Sequence, residues 1–231
     1  MKIKPVLADF FALFFPNYCF GCHDGLVKGE EILCTNCLAE LPRLDYFNVN
    51  DNPITNRFIG RLTINHGWAL LKFQKAGIVQ NLLHELKYNH HPEIGVKLGR
   101  VLAYSALRSG FEDGFDLIVP VPLHKSRLRT RGYNQSDMIA SGIADVLNIP
   151  HDDSIMLRQA ATKTQTKKSK TDRWENVSQV FQVAKPEQVL GKRILLVDDV
   201  ITTGSTLEAC AQKLMQAGAT DLSIACVAEV L

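Results

Sequence analysis

The stretch from Arg193 to Thr206, which reads R-I-L-L-V-D-D-V-I-T-T-G-S-T, constrains the fold of this chain more than any other. Ile194 to Val197 form an unbroken apolar run, which predicts a strand buried on both faces of a parallel sheet. Two acids and a loop of small hydroxyl residues around Gly204 follow the run, and a helical pattern then extends to Gly218. The order of strand, acid pair, loop and helix is typical of an α/β unit.

The residues at the end of the predicted strand suit a phosphorylated sugar. Backbone N–H groups and hydroxyls at the start of a helix hold an anion. Carboxylates just before them accept hydrogen bonds from sugar hydroxyls or hold Mg²⁺. The alternative is a strand that ends by chance in a solvated Asp-Asp turn, but such a turn does not need the hydroxyl run and the helix start. The stretch therefore predicts a phosphate site with a sugar-binding rim.

This stretch resembles the phosphoribosyl-pyrophosphate (PRPP) motif of type I phosphoribosyltransferases, in which two adjacent acids precede Thr-Thr-Gly-Ser-Thr at fixed spacing. The resemblance implies that Asp198 and Asp199 contact the ribose hydroxyls, that the loop wraps the 5′-phosphate, and that Mg²⁺ accompanies PRPP. In the 6-oxopurine enzymes an Asp that acts on the base commonly stands at the position of Thr202, so its absence here weakens a hypoxanthine or guanine assignment. The loop residues are Thr202, Thr203, Gly204, Ser205 and Thr206.

Four cysteines near the N-terminus form two C-x-x-C pairs, Cys19 with Cys22 and Cys34 with Cys37. Two such pairs separated by a short loop supply four thiolates for a tetrahedral Zn²⁺. The alternatives are two disulfides or four free thiols, and the chain shows no export signal that would favour disulfides. Because four cysteines fill the coordination shell, we expect a closed, structural zinc site.

The whole chain resembles the ComF competence-protein family, which joins an N-terminal zinc module to a phosphoribosyltransferase-like domain. The V-P-V-P segment before His124 and the R-G-Y-N-Q at 131–135 resemble the pyrophosphate-loop region of that family. The resemblance implies a cytoplasmic protein that handles single-stranded DNA during natural transformation, together with other DNA-uptake proteins. Two rival interpretations are an enzyme that transfers a phosphoribosyl group from PRPP to an unknown base or acceptor, and a module that only senses PRPP. All three preserve the phosphate site, so the sequence leaves them open.

Two basic segments accompany the PRPP-like motif, although the 231-residue chain has a net charge of only +2. The first is expected as a loop that holds pyrophosphate or a DNA backbone, and the second as a lid over PRPP or part of a DNA groove. The alternative for both is an exposed, solvated loop. Candidates in the first are Lys125, Arg127, Arg129, Arg131 and Asn134. Candidates in the second are Arg158, Lys167, Lys168, Lys170 and Arg173.

An apolar run over residues 6–15 superficially resembles a signal peptide. However, Asp9 interrupts the run, no small-residue cleavage site precedes Cys19, and the run is too short to span a bilayer. We therefore expect an amphipathic helix over residues 5–15 that docks on the protein, with a membrane surface as the alternative, and no stable membrane insertion. The expected location is the cytoplasm, with peripheral attachment to the inner membrane as the alternative.

Strands that alternate with helices predict an α/β domain with a mostly parallel sheet and helices on both faces, joined to a small zinc-ribbon-like module. We expect an N-terminal helix and zinc-binding module over 1–45, a linker or irregular segment over 46–65, and the phosphoribosyltransferase-like domain over 66–231. Expected strands lie at 68–73, where an edge strand is predicted, and at 115–121, 155–157, 180–183, 194–197 and 222–227. Expected helices lie at 75–88, 92–107 and 136–147.

Overall fold

The structure is a computed structural model that describes residues 17–47, 49–111, 114–159 and 180–230. Helices and strands alternate along most of the chain, as the sequence pattern predicts. In chain order the elements are α1 (Thr35–Ala39), α2 (Pro53–Asn56), β1 (Gly67–Lys72), α3 (Ile78–Tyr88), α4 (Pro92–Arg108), β2 (Leu117–Pro120), α5 (Lys125–Arg131), α6 (Gln135–Leu147), β3 (Met156–Arg158), β4 (Phe181–Val183), α7 (Pro186–Val189), β5 (Arg193–Ile201), α8 (Ser205–Gln216) and β6 (Asp221–Glu229).

A four-stranded parallel sheet with the order β1-β6-β5-β2 forms the centre of the fold. Its register places Val197 of β5 beside Pro120 of β2 and Ala225 of β6. Strands β3 and β4 form a separate antiparallel pair. The predicted parallel sheet is thus confirmed, and β1 lies at its edge as expected.

The side chains of β5 alternate between two apolar cores. Leu195 and Val197 pack with helices α3, α4 and α6, whereas Ile194 and Leu196 pack with α8 on the opposite face. All four side chains are fully buried. This explains why the strand reads as a continuous apolar run, since a strand covered on both faces has no polar side. Helices lie on both faces of the sheet, as predicted.

Strand β5 is longer than the apolar run, and the basic segment after β2 is not a loop. The strand continues past the two acids to Ile201, because pairing with β6 persists to the end of both strands.

The expectation of a basic loop over 125–131 is wrong, because these residues form helix α5. His124 accepts a hydrogen bond from the backbone of Ser126 at one end of α5, and Gly132 closes the other end with a φ of 83°.

The segment over 46–65, expected as a linker or irregular segment, contains only the short helix α2 among its described residues, but it is firmly packed. Asn52 caps α2 by accepting hydrogen bonds from the N–H groups of Ile54 and Thr55. Ile54 and Phe58 are fully buried in the core that also contains α8. The segment is therefore attached to the sheet by apolar contacts that the mixed composition did not reveal.

The chain between the cysteine cluster and the sheet pairs with the outer edge of β1. The N–H of Leu44 donates to the carbonyl of Leu70 at 3.0 Å, and the N–H of Lys72 donates to the carbonyl of Pro42 at 2.8 Å. Phe47 is buried in the core shared by the sheet, α3 and α4. The N-terminal module is thus continuous with the α/β domain through a common core.

Some expectations lie outside the described residues. These are the N-terminal helix over 5–15 and the lid candidates Lys167, Lys168, Lys170 and Arg173. Within the described ranges, no helix is both long enough and apolar enough to cross a membrane.

Helices α4 and α6 approach each other so closely that backbone lies against backbone. A Cβ on Gly99 would lie 2.1 Å from the carbonyl oxygen of Ile139, and a Cβ on Gly142 would lie 2.1 Å from the carbonyl oxygen of Val96. Neither separation is sterically possible, so both positions require glycine.

We predict that Gly142→Ala lowers the free energy of unfolding by about 3 kcal/mol, because α4 and α6 must separate to admit the methyl group. Gly25→Ala serves as the control, since no heavy atom lies within 4 Å of its Cβ position. Chemical denaturation followed by circular dichroism measures both variants. Equal stability of Gly142→Ala and the wild type would contradict this packing.

Candidate functional site

The first acid of the pair, Asp198, is held by donors from two elements. Its Oδ1 accepts hydrogen bonds from the Ser136 hydroxyl at 2.9 Å and from the Asp199 N–H at 2.8 Å. Loss of surrounding water and the neighbouring Asp199 charge raise the pKa of Asp198 to about 7. The sequence analysis missed Ser136, which lies in the first turn of α6 and meets Asp198 only through the fold.

The second acid, Asp199, forms an ion pair with a lysine from α3. Lys87 Nζ lies 2.9 Å from Asp199 Oδ2, and Asp199 is 6% exposed. A buried carboxylate requires such a partner, because its charge is costly away from water. No sequence spacing connects Lys87 with the acid pair, so the sequence analysis missed this residue too.

The hydroxyl loop leads from β5 into the first turn of α8. Gly204 precedes the helix with a φ of 80°, a left-handed conformation that favours glycine. The hydroxyls of Thr203 and Ser205 lie 2.9 Å apart, and the side chains of Thr202, Thr203 and Ser205 are exposed, while Thr206 is half-buried. Because the first N–H groups of a helix lack intrahelical partners, the loop can hold an anion at this end of α8.

A cavity of about 840 Å³ lies beside the acid pair, between α3 and the carboxyl ends of β5 and β6. Its lining includes Leu83, Lys87, Asp199, Thr202 and Val230. A volume of this size is typical of small-molecule sites. The cavity can therefore hold a ligand group in addition to a sugar phosphate bound by the loop.

A smaller cavity of about 430 Å³ lies between α3 and α5 and is lined by cations. Lys87, Arg127 and Arg131 all contribute to it. Arg131 is 9% exposed, its guanidinium donates to the Gln135 side chain, and it lies 5.5 Å from the centre of the Tyr88 ring. This cavity has the charge required by a phosphate or diphosphate group.

The other described candidates from the two basic segments do not line this cavity. Lys125 and Arg129 are exposed on α5. Asn134 is buried and caps α6, because its Oδ1 accepts from the Ser136 N–H and its Nδ2 donates to the carbonyl of Val121. Arg158 lies on β3 with its guanidinium carbon 5.3 Å from the centre of the Phe181 ring.

The four cysteine sulfurs near the N-terminus lie within 4.8 Å of one another. The sulfurs of Cys22 and Cys34 are 3.8 Å apart, and all six cysteines of the chain are free thiols. A tetrahedral zinc ion with Zn–S bonds of about 2.3 Å requires sulfurs about 3.8 Å apart. The cluster therefore fits Zn²⁺, and the disulfide alternative does not apply.

Backbone amides around the cluster point at the sulfurs. The N–H groups of Gly21 and Cys34 lie 3.3 and 3.2 Å from Cys19 Sγ, and the N–H of Cys37 lies 3.5 Å from Cys34 Sγ. Burial opposes the charge on Cys19, but the donated hydrogen bonds outweigh it and lower the pKa of that thiol to about 7. Cys19 and Cys37 are buried, and the Asn81 side chain of α3 donates to the Gly21 carbonyl. These contacts suit a closed structural metal centre.

We predict that the purified protein holds about one Zn²⁺ per chain and that Cys34→Ser releases the metal and unfolds the N-terminal module, because small zinc modules depend on the ion for folding. Cys210→Ala, which changes a buried cysteine of α8, should retain the metal. Metal analysis by mass spectrometry provides the measurement. A freshly purified wild type without zinc would contradict the prediction.

Residues 135–231 match the family described as the phosphoribosyl transferase domain. Among solved structures, the chain is similar to the glutamine PRPP amidotransferase from B. subtilis, a structure complexed with ADP and GMP. The likeness has a TM-score of 0.45 and 24% identity, and it covers 62% of this chain and 30% of that chain. The likeness therefore concerns only part of each fold.

Three curated relatives extend the comparison. DNA utilization protein YhgH from Escherichia coli (strain K12) is 35% identical over 153 residues, which cover 65% of this chain and 66% of that protein. The chain thus spans just under two thirds of the length of that relative. Competence protein ComFC from Bacillus subtilis (strain 168) is 35% identical over 109 residues, which cover 47% of this chain and 42% of that protein. Competence protein F from Haemophilus influenzae is 31% identical over 227 residues, which cover 91% of this chain and 96% of that protein. Because this last similarity extends over nearly the whole of both proteins, the chain belongs to the ComF family of competence proteins.

Proposed function

We propose that this protein binds PRPP, or another ribose 5-phosphate compound, with Mg²⁺ at the loop between β5 and α8, and that it handles single-stranded DNA during DNA uptake. One observation carries the proposal: an acid pair, an exposed hydroxyl loop and a helix N-terminus meet at the carboxyl end of a central parallel strand. Ligands of α/β sheets bind at this edge.

Each part of the site has a distinct role in the proposed complex. The N–H groups and hydroxyls of the loop over 202–206 bind the 5′-phosphate. Asp198 and Asp199 accept hydrogen bonds from the ribose hydroxyls, and Lys87 and Arg127 face the negative charge of the diphosphate. Mg²⁺ that accompanies PRPP would add positive charge beside the diphosphate.

The DNA part of the proposal is supported by the relatives and by the distribution of charge. Two of the relatives carry names that refer to competence and to DNA utilization, Competence protein F and DNA utilization protein YhgH. In this chain, Lys125, Arg127 and Arg129 are exposed on one short helix. Such cations bind a phosphate backbone without reading its sequence. We place this activity in the cytoplasm, with other DNA-uptake proteins as partners.

The second candidate function is an active phosphoribosyltransferase. The cavity of about 840 Å³ beside Asp199 favours it, because it has room for an acceptor next to the proposed ribose site. Release of pyrophosphate from PRPP in the presence of candidate acceptors would establish turnover. PRPP binding without release would support a binding or sensing role.

We predict that Gly204→Val abolishes binding of PRPP and ribose 5-phosphate. A Cβ at this position would lie 3.1 Å from the Phe58 ring, and valine is strained at a φ of 80°, so the loop must change its shape. Gly191→Val is the control, since its φ is 73° but no heavy atom lies within 4 Å of its Cβ position. In calorimetry with Mg²⁺, the control should bind like the wild type. Equal affinity of Gly204→Val and the wild type would count decisively against this site.

We predict that the protein binds single-stranded DNA in preference to duplex DNA and loses affinity as salt rises. Each phosphate contact contributes a slope of about −0.7 to log K against log salt, so replacing Lys167, Lys168 and Lys170 with alanine should flatten the slope by about 2 and leave PRPP affinity largely unchanged. Filter binding at several salt concentrations measures this. The control replaces Lys28, Lys192 and Lys213, which come from three separate parts of the chain.

The lid interpretation of the same lysines makes the opposite prediction. It expects little change in DNA binding, but weaker PRPP binding or lost turnover in the triple variant. A wild type with no affinity for single-stranded DNA at low salt would remove the DNA proposal and leave the enzyme as the candidate.

A further inference from the structure

Two arginines of the packed segment over 46–65 lie behind the hydroxyl loop, one in contact with the loop and the other in contact with α8. Arg57 donates through Nη1 to the carbonyl of Thr202, and through Nη2 to Glu229 Oε1 at 2.7 Å and to the carbonyl of Val230 at 2.9 Å. Glu229 is fully buried and also accepts a hydrogen bond from the Tyr46 hydroxyl. Arg57 is thereby fixed on one side by a buried carboxylate, and on the other side it holds the backbone of the loop.

The second arginine, Arg61, lies four residues further along and pairs with an acid in α8. Its Nη1 is 2.6 Å from Glu208 Oε2, and the Glu208 side chain is only 1% exposed. A second nitrogen of Arg61 donates to the carbonyl of Arg57, which links the two arginines. Burial raises the pKa of Glu208, and the Arg61 charge opposes that rise.

The position of Glu208 makes its charge relevant to an anion at the loop. Glu208 lies in the first turn of α8, and its N–H donates to the carbonyl of Gly204. A carboxylate in the first turn of a helix interacts favourably with the helix dipole, but it repels a second anion at the same N-terminus. Arg61 places a positive charge in direct contact with this carboxylate and so cancels the repulsion.

We propose that Arg57 and Arg61 are positioning residues of the phosphate-binding loop: Arg57 fixes the Thr202 carbonyl, and Arg61 neutralises Glu208. The inference rests on the proposed function, since it takes the loop between β5 and α8 as the site of the 5′-phosphate. It assigns a binding role to the segment over 46–65, which supplies both arginines as well as the Phe58 ring that packs against Gly204.

The charge of Arg61 is tested by a double-mutant cycle with Glu208, with ribose 5-phosphate and inorganic phosphate as probes in calorimetry. Arg61→Ala should weaken both about five-fold, because it leaves an uncompensated carboxylate beside the anion. Glu208→Gln should bind at least as well as the wild type. The double variant Arg61→Ala with Glu208→Gln should return to within about two-fold of the wild type.

A purely structural role for Arg61 gives a different pattern. In that case the double variant would bind as weakly as Arg61→Ala, and this result would overturn the role of Arg61 as a charge neutraliser. Arg61→Lys, which keeps the charge, provides a second variant should the alanine variant fail to fold. It should bind within about two-fold of the wild type, and a loss as large as that expected for alanine would contradict the inference.

The role of Arg57 is tested in variants that also change Glu229, its buried partner. Glu229→Gln alone should bind ribose 5-phosphate within about two-fold of the wild type, because the glutamine oxygen still accepts a hydrogen bond from Arg57 and Arg57 still reaches the Thr202 carbonyl. Adding Arg57→Ala to this variant should weaken binding about ten-fold, because the loop loses a charge-assisted hydrogen bond. Unchanged affinity in that double variant would overturn the role of Arg57.

Ligand binding by the wild type distinguishes a failure of the proposed function from a failure of the role assigned to the two arginines. A wild type that binds ribose 5-phosphate while every variant matches it would overturn only the role of the arginines. A wild type that binds neither ribose 5-phosphate nor inorganic phosphate would overturn the proposed function and this inference with it. Thermal unfolding of each variant establishes that the compared proteins are folded.

Discussion

The need to neutralise two adjacent acids at the carboxyl end of a buried strand determines much of the arrangement around them. Strand β5 is central in the sheet, so Asp198 and Asp199 cannot both remain hydrated. The Ser136 hydroxyl donates a hydrogen bond to the first acid, and the Lys87 ammonium forms an ion pair with the second. These partners come from α6 and α3, which cover the same face of the sheet. The packing of those helices is therefore inseparable from the chemistry of the acid pair.

The hydroxyl loop is supported in the same way from the other face of the sheet. Arg57 connects the loop to the buried carboxylate of Glu229 in β6, and Arg61 connects the segment over 46–65 to the buried carboxylate of Glu208 in α8. A buried carboxylate with its cation removed is strongly destabilising, so each ion pair restricts the position of both of its elements. Loops that bind phosphate through backbone N–H groups depend on such rigidity, because those donors must all point at one centre.

Features encoded by local sequence could be predicted, whereas contacts between distant segments could not. The apolar run from Ile194 to Val197 identifies a buried strand, and the cysteine spacing identifies a four-sulfur cluster, because each pattern is complete within a few residues. Lys87 and Arg57 reach the site only through the fold, and nothing in their immediate neighbours distinguishes them from solvated cations. Helix α5 had available signals, Gly132 directly after its end and basic residues in its last turn, but alternating charges resemble a loop when these signals are overlooked.

The cysteine cluster and the hydroxyl loop belong to one continuous structure. The chain leaves the cluster through Leu41 and Phe47, both buried in the core of the sheet, and residues 42–44 pair with the edge of β1. Tyr46 then donates to Glu229, the same carboxylate that fixes Arg57 behind the loop. A metal that holds the N-terminal module in shape would therefore also limit the movement of the segment that supports the loop. This gives a physical reason for joining a zinc module to a phosphoribosyltransferase-like domain: the module anchors the start of the segment that supports the hydroxyl loop.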